Sequence, residues 1–109
     1  MFMFDIYQGD QYGIRVKIFQ DNNGTKVPIT PTDVDNVEII VGSASKVYSD
    51  GGVTFDNSTS EWVYGLIQAD SFSMNSSVPI IARVKIDGEI FSIDFGTYKI
   101  KSVLTRRML

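Results

Sequence analysis

The side chains that could do chemistry are few, and most are carboxylates or hydroxyls. Asp21, Asn23 and Thr25 occupy the first, third and fifth places of a calcium-binding loop, where oxygen ligands would be wanted. The pattern then fails: the sixth place is Lys26 rather than glycine, and the twelfth is Thr32 rather than a bidentate glutamate. A plain hairpin turn accounts for the segment better. Asp33 and Asp35 lie two apart, so an extended backbone would put both carboxylates on one face, as acid/base catalysis or cation binding can require. No second pair can be assigned to meet them, and turn and capping roles explain both. Serines are numerous, for instance Ser43, Ser45, Ser76 and Ser77. With no histidine in the chain a lysine would have to activate one of them, and no spacing marks such a pair.

The absence of cysteine as well as histidine removes disulfides, thiolate nucleophiles, zinc sites of the usual kind and a histidine general base. Gly9 and Gly51-Gly52 stand apart from any strand-to-helix step, so they read as turn glycines and not as phosphate loops. The expectation is a chain with no catalytic residues, no cofactor and no metal site. Two features point instead to contacts. Phe2, Phe4, Tyr7 and Tyr12 cluster near the N-terminus, and either pack in the core, the simpler account, or form a sticky patch for a partner. The only adjacent basic pair, Arg106-Arg107, lies near the C-terminus, as a solvated tail or as a partner contact.

The elements that would position these groups are strands. Tyr12, Ile14, Val16 and Ile18 alternate with Gly13, Arg15 and Lys17, which predicts a half-buried strand. Asp21 to Gly24 turns the chain, Val27-Pro28-Ile29 resumes extended structure, and Pro31-Thr32-Asp33 predicts one helical turn. Val37 to Val41 is β-branched enough for a central strand. Lys46 to Tyr48 and Val53 to Phe55 flank Asp50-Gly51-Gly52 and are expected to form a hairpin. Glu61 to Ile67 puts Trp62, Tyr64 and Leu66 on one face, with Trp62 in the core. A helical turn at Gln68 to Phe72 precedes a strand from Val78 to Ile86. Asp87-Gly88 then supplies both residues of a type I′ turn before Ile90, Phe91 and Ile93. A final strand runs from Tyr98 to Leu104. Seven to nine short antiparallel strands at this spacing predict an all-β sandwich or small barrel, organised as one domain over residues 1–109.

Size and charge agree with a small folded domain: 109 residues, 43% hydrophobic and 21% charged, leave room for one core. Ten basic against 13 acidic residues give a net charge of -3, which repels a phosphate backbone, so nucleic acid is not expected as a partner. The opening Met1-Phe2-Met3-Phe4-Asp5 lacks the basic region and long apolar run of a secretion signal, and no stretch approaches a membrane span.

Several segments taken in order resemble a known group. They are Tyr7-Gln8-Gly9-Asp10, Val37-Glu38-Ile39, Lys46-Val47-Tyr48 leading to Val53-Thr54-Phe55, Leu66 to Phe72, Ala82-Arg83-Val84-Lys85 with Asp87-Gly88, and Ser102-Val103-Leu104 with Leu109. Together they resemble small tail-associated structural proteins of tailed phages and prophages of Gram-positive bacteria. The opening is similar to the N-terminal immunoglobulin-like domain of baseplate upper proteins, where a Gly-Asp step precedes a strand of similar pattern. The resemblance implies an immunoglobulin-like sandwich and a structural or adaptor role in the tail or baseplate of a virion made in the bacterial cytoplasm. Partners would be other phage structural proteins, with homo-oligomers possible. The contacts would involve Phe2, Phe4 and Tyr7, and Arg106 and Arg107 in the tail from Thr105 to Leu109. The alternative expectation is a binding module outside the virion, such as an assembly chaperone or a carbohydrate-binding domain stacking sugars on Trp62 and the tyrosines.

Overall fold

The computed structural model describes residues 3–7, 11–68 and 77–101, with side chains over 13–65 and 77–97. Ten strands appear in them: β1 (Met3–Tyr7), β2 (Gln11–Val16), β3 (Phe19–Asn22), β4 (Thr25–Pro28), β5 (Asn36–Val41), β6 (Ala44–Val47), β7 (Thr54–Asp56), β8 (Glu61–Gln68), β9 (Ser77–Ile86) and β10 (Glu89–Lys101). The order β1-β10-β9-β5-β6 makes one sheet, β2-β8-β7 a second, and β3-β4 a separate hairpin. With β5, β9 and β10 side by side, β6 added at one edge, and β2-β8-β7 opposite, this is the strand arrangement of an immunoglobulin-like β-sandwich. The expected fold class is what the chain adopts.

The core follows from alternation. Val37, Ile39 and Val41 on β5 and Val78, Ile80, Ala82 and Val84 on β9 turn inward against Ile14 and Val16 of β2 and Trp62 and Tyr64 of β8. Trp62 is wholly buried, its indole N–H donating to the Ile29 carbonyl at 3.2 Å, with Tyr48 and Phe55 edge-on to its ring. Pro79 is tolerated in a central strand because β5 ends beside it: its carbonyl accepts the Gly42 N–H, so its missing donor falls at the end of that ladder.

Four details depart from the sequence-based expectation. The first strand is split, β2 ending at Val16 and β3 starting at Phe19 as the chain leaves the sandwich for the separate hairpin. Conversely, the expected strands at Ile90–Ile93 and from Tyr98 are one strand, β10, carried across a bulge in which Phe95 and Gly96 oppose Ile80. Met3–Tyr7 adds β1, the one parallel pairing among the described residues, with Met3 opposite Thr97 and Tyr7 opposite Lys101. The hairpin expected at Lys46 to Phe55 is absent: β6 pairs with β5, and β7 with β8, so the Asp50–Gly52 turn carries the chain from one sheet to the other. Burial decides this, since the crossing seals Val53 and sets Tyr48 and Phe55 against Trp62. The helical turn forms at Pro31–Asp33 as expected. Of the turn expected at Gln68 to Phe72, Gln68 ends β8 and the remainder lies outside the described residues.

Two ties hold the faces and edges. Lys46, on the edge strand β6, reaches the opposite sheet, donating to the Tyr64 carbonyl at 3.1 Å with its ammonium 4.4 Å from the Tyr64 ring centroid. Tyr64 is the extra residue of a bulge in β8. Arg15 on β2 spans its sheet, paired to Asp56 on β7 and, at 3.3 Å, to Glu61 on β8. The Arg15 guanidinium, then the Ser58 N–H, hold the Asp56 carboxyl below its ordinary pKa. A depressed carboxylate contributes stability above its unfolded value of about 3.9 and loses it as pH falls through the folded value. Asp56→Asn is therefore expected to flatten the fall in stability below about pH 4. Urea midpoints measured from pH 2.5 to 7 check this, and an unchanged acid slope would count against it.

Candidate functional site

The residues with chemical potential are used locally. Asp21 accepts the Gly24 N–H at 2.9 Å at the mouth of the Asn23-Gly24 turn, so the segment is a hairpin turn. Asp33 accepts from the Thr30 N–H at 2.9 Å and from its hydroxyl at 3.0 Å, completing a capping box. Asp35 accepts the Gly88 N–H at 3.1 Å, tying the last hairpin to the start of β5. Ser43, Ser45 and Ser77 are exposed, while Ser76 lies outside the described residues. Among the described residues no group of three or more acidic, histidine or cysteine side chains could hold a metal ion.

Of the expected contact residues, Phe4 and Tyr7 belong to β1, which lies beside the end of β10. Their side chains, and Phe2, Arg106 and Arg107 entirely, lie outside the described residues. What the structure adds is at the other end of β10. Val84, Ile86, Phe91 and Ile93 share the inner face of the β9–β10 hairpin, with Phe91 opposite Val84 and Ile93 opposite Ala82. There the second sheet has ended, and Ile18 and Phe19, leading into β3, supply the facing wall. The result is an apolar groove of about 300 Å³ in which Gln20 is the one polar lining residue. Phe19 and Phe91 remain 47% and 50% exposed at its mouth.

Outside the groove, on the opposite face of the same hairpin, Ile90 is 54% exposed beside Lys85 and Arg83. Val27 is exposed on β4. Phe91 and Ile90 thus put exposed apolar side chains on both faces at the start of β10, a feature of contact surfaces. A larger hollow of about 490 Å³ lies at the Asp50–Gly52 crossing, but its aromatic walls, Tyr48 and Phe55, are already held against Trp62.

Sequence reasoning missed Phe19 and Phe91. A partial signal was present: Ile90-Phe91 is an adjacent apolar pair and neighbours on a strand point to opposite faces, so one of the two must face outward; that one is Ile90, and the exposure of Phe91 has no local signal. No protein-family model matches the chain, and no curated protein or solved structure is significantly similar to it.

Proposed function

We propose that this protein is a non-catalytic structural or adaptor component of a tailed-phage particle, in the tail or baseplate, working through contacts with other structural proteins. The observation that carries this is the apolar groove with its half-exposed Phe19 and Phe91, presented by a sandwich in which Asp21, Asp33 and Asp35 serve turns and a cap and Arg15, Asp56 and Glu61 form cross-strand pairs. The segment resemblance to tail-associated proteins supplies the setting. A rigid cysteine-free sandwich suits the task, because it positions a fixed surface without redox chemistry. The sugar-binding alternative has no support from Trp62, whose ring is fully covered.

Mass spectrometry of density-purified particles, with copy number set against the major capsid protein, tests the proposal. The expected result is a fixed stoichiometry for the wild type and at least a tenfold loss for Phe91→Ser. Absence from particles, with abundant protein in the lysate, would replace this function by that of an assembly factor.

A further inference from the structure

The two edges of the five-stranded sheet differ. At β6 the edge is only Ala44–Val47, and Lys46 folds over it to the opposite sheet. At β10, β1 covers Thr97–Lys101, and among the described residues Glu89–Asp94 pairs with β9 on one side alone. The ladder fixes which groups are free. Asp87-Gly88 forms a two-residue turn with both φ positive, so Ile86 and Glu89 exchange hydrogen bonds, as do Val84 with Phe91 and Ala82 with Ile93. Lys85 and Pro79 direct their carbonyls to the β5 side, in keeping with that phase. The amides and carbonyls of Ile90, Ser92 and Asp94 therefore face outward along the open edge.

We propose that this edge pairs with the same edge of a second copy, β10 against β10 in antiparallel register about a two-fold axis at Ser92. In that register Ser92 meets its own counterpart and Ile90 meets Asp94 of the second copy, so every outward-facing residue opposes another. On the inner face Phe91 opposes Ile93, extending the groove wall with an aromatic and aliphatic pair. On the outer face Lys85, which has no ion-pair partner among the described residues, lies beside Ile90 and two strand spacings, about 10 Å, from the second copy's Asp94. A lysine side chain spans much of that gap, and the two-fold axis makes the charge contact twice. The bulge at Phe95–Gly96 and the start of β1 end the pairing, so the interface is isologous and closes as a dimer. An edge this short lies at the small end of interface sizes, so a weak, concentration-dependent dimer is expected.

Sedimentation equilibrium from about 1 µM to about 500 µM, with amide exchange followed by NMR at both limits, tests this. The expected result is a doubling of mass and slowed exchange at the Ile90, Ser92 and Asp94 amides. Ser92→Pro removes an outward amide that the β9 ladder does not use, and should keep the protein monomeric. Lys85→Glu, a surface change that leaves the backbone intact, should weaken the dimer about tenfold. A monomer throughout, or a dimer formed with those three amides unprotected, would overturn the inference. The outcome is independent of the particle assay: a dimer missing from virions would leave it standing.

Discussion

Trp62→Ala is expected to lower the folding free energy by about 3–5 kcal/mol, the largest loss of any single truncation in this core. The ring is completely buried between the sheets, stacked edge-on by Tyr48 and Phe55, and its N–H serves the Ile29 carbonyl. Removing it opens a cavity that two half-buried aromatics cannot fill without releasing the crossing between β6 and β7. For a domain whose total stability is about 5–15 kcal/mol, little reserve would remain. Trp62→Phe separates the two contributions. It keeps most of the volume but leaves the buried Ile29 carbonyl without its donor, a loss of about 1–3 kcal/mol. Urea unfolding followed by circular dichroism, since the sole tryptophan is gone, measures both. A loss under about 1 kcal/mol for the alanine variant would show that Trp62 does not anchor the core.

The elements readable from the sequence were those whose cause is local. Asn23-Gly24 and Asp87-Gly88 supply positive φ at both turn positions, Pro31-Thr32-Asp33 forms its one helical turn, β5 is a β-branched apolar run, and Ile80, Ala82, Val84 and Ile86 alternate along β9. What escaped depended on distant partners. The Asp50–Gly52 turn has the composition of a hairpin, yet whether its flanks pair with each other or join opposite sheets is set by Trp62, several residues further on. The parallel β1–β10 pairing joins the two ends of the chain, and no local pattern announces it. For the site the same division holds. Burial of Trp62 could be inferred from its rarity and its face, whereas the exposure of Phe91 could not. Phe91 occupies an inward position like Val84 opposite it, and is half exposed only because the second sheet stops short and the β3–β4 hairpin covers the gap incompletely.

Gly88→Val is expected to cost about 2 kcal/mol without any steric clash. A Cβ at this position meets nothing within 4 Å, but φ is +82°, where a branched side chain is strained. The turn cannot escape by changing type, because the Gly88 N–H is held by Asp35 and both flanking strands belong to the main sheet. Gly88→Asn, which tolerates that region, should recover most of the loss. Gly24→Val imposes the same local strain, at φ +85° and again in open space. Yet β3 and β4 form their own two-stranded sheet, exposed along nearly its whole length. That hairpin can open by itself, so the strain there is relieved locally, and the global loss should stay below about 1 kcal/mol. Denaturant midpoints for the two valine variants, with amide exchange in β3 and β4 as the local readout, compare them directly. Equal global losses would mean that the β3–β4 hairpin unfolds only with the sandwich, making the Phe19 wall of the groove as rigid as the Phe91 wall. Unequal losses would mean that the groove has one fixed wall and one that can yield to a partner.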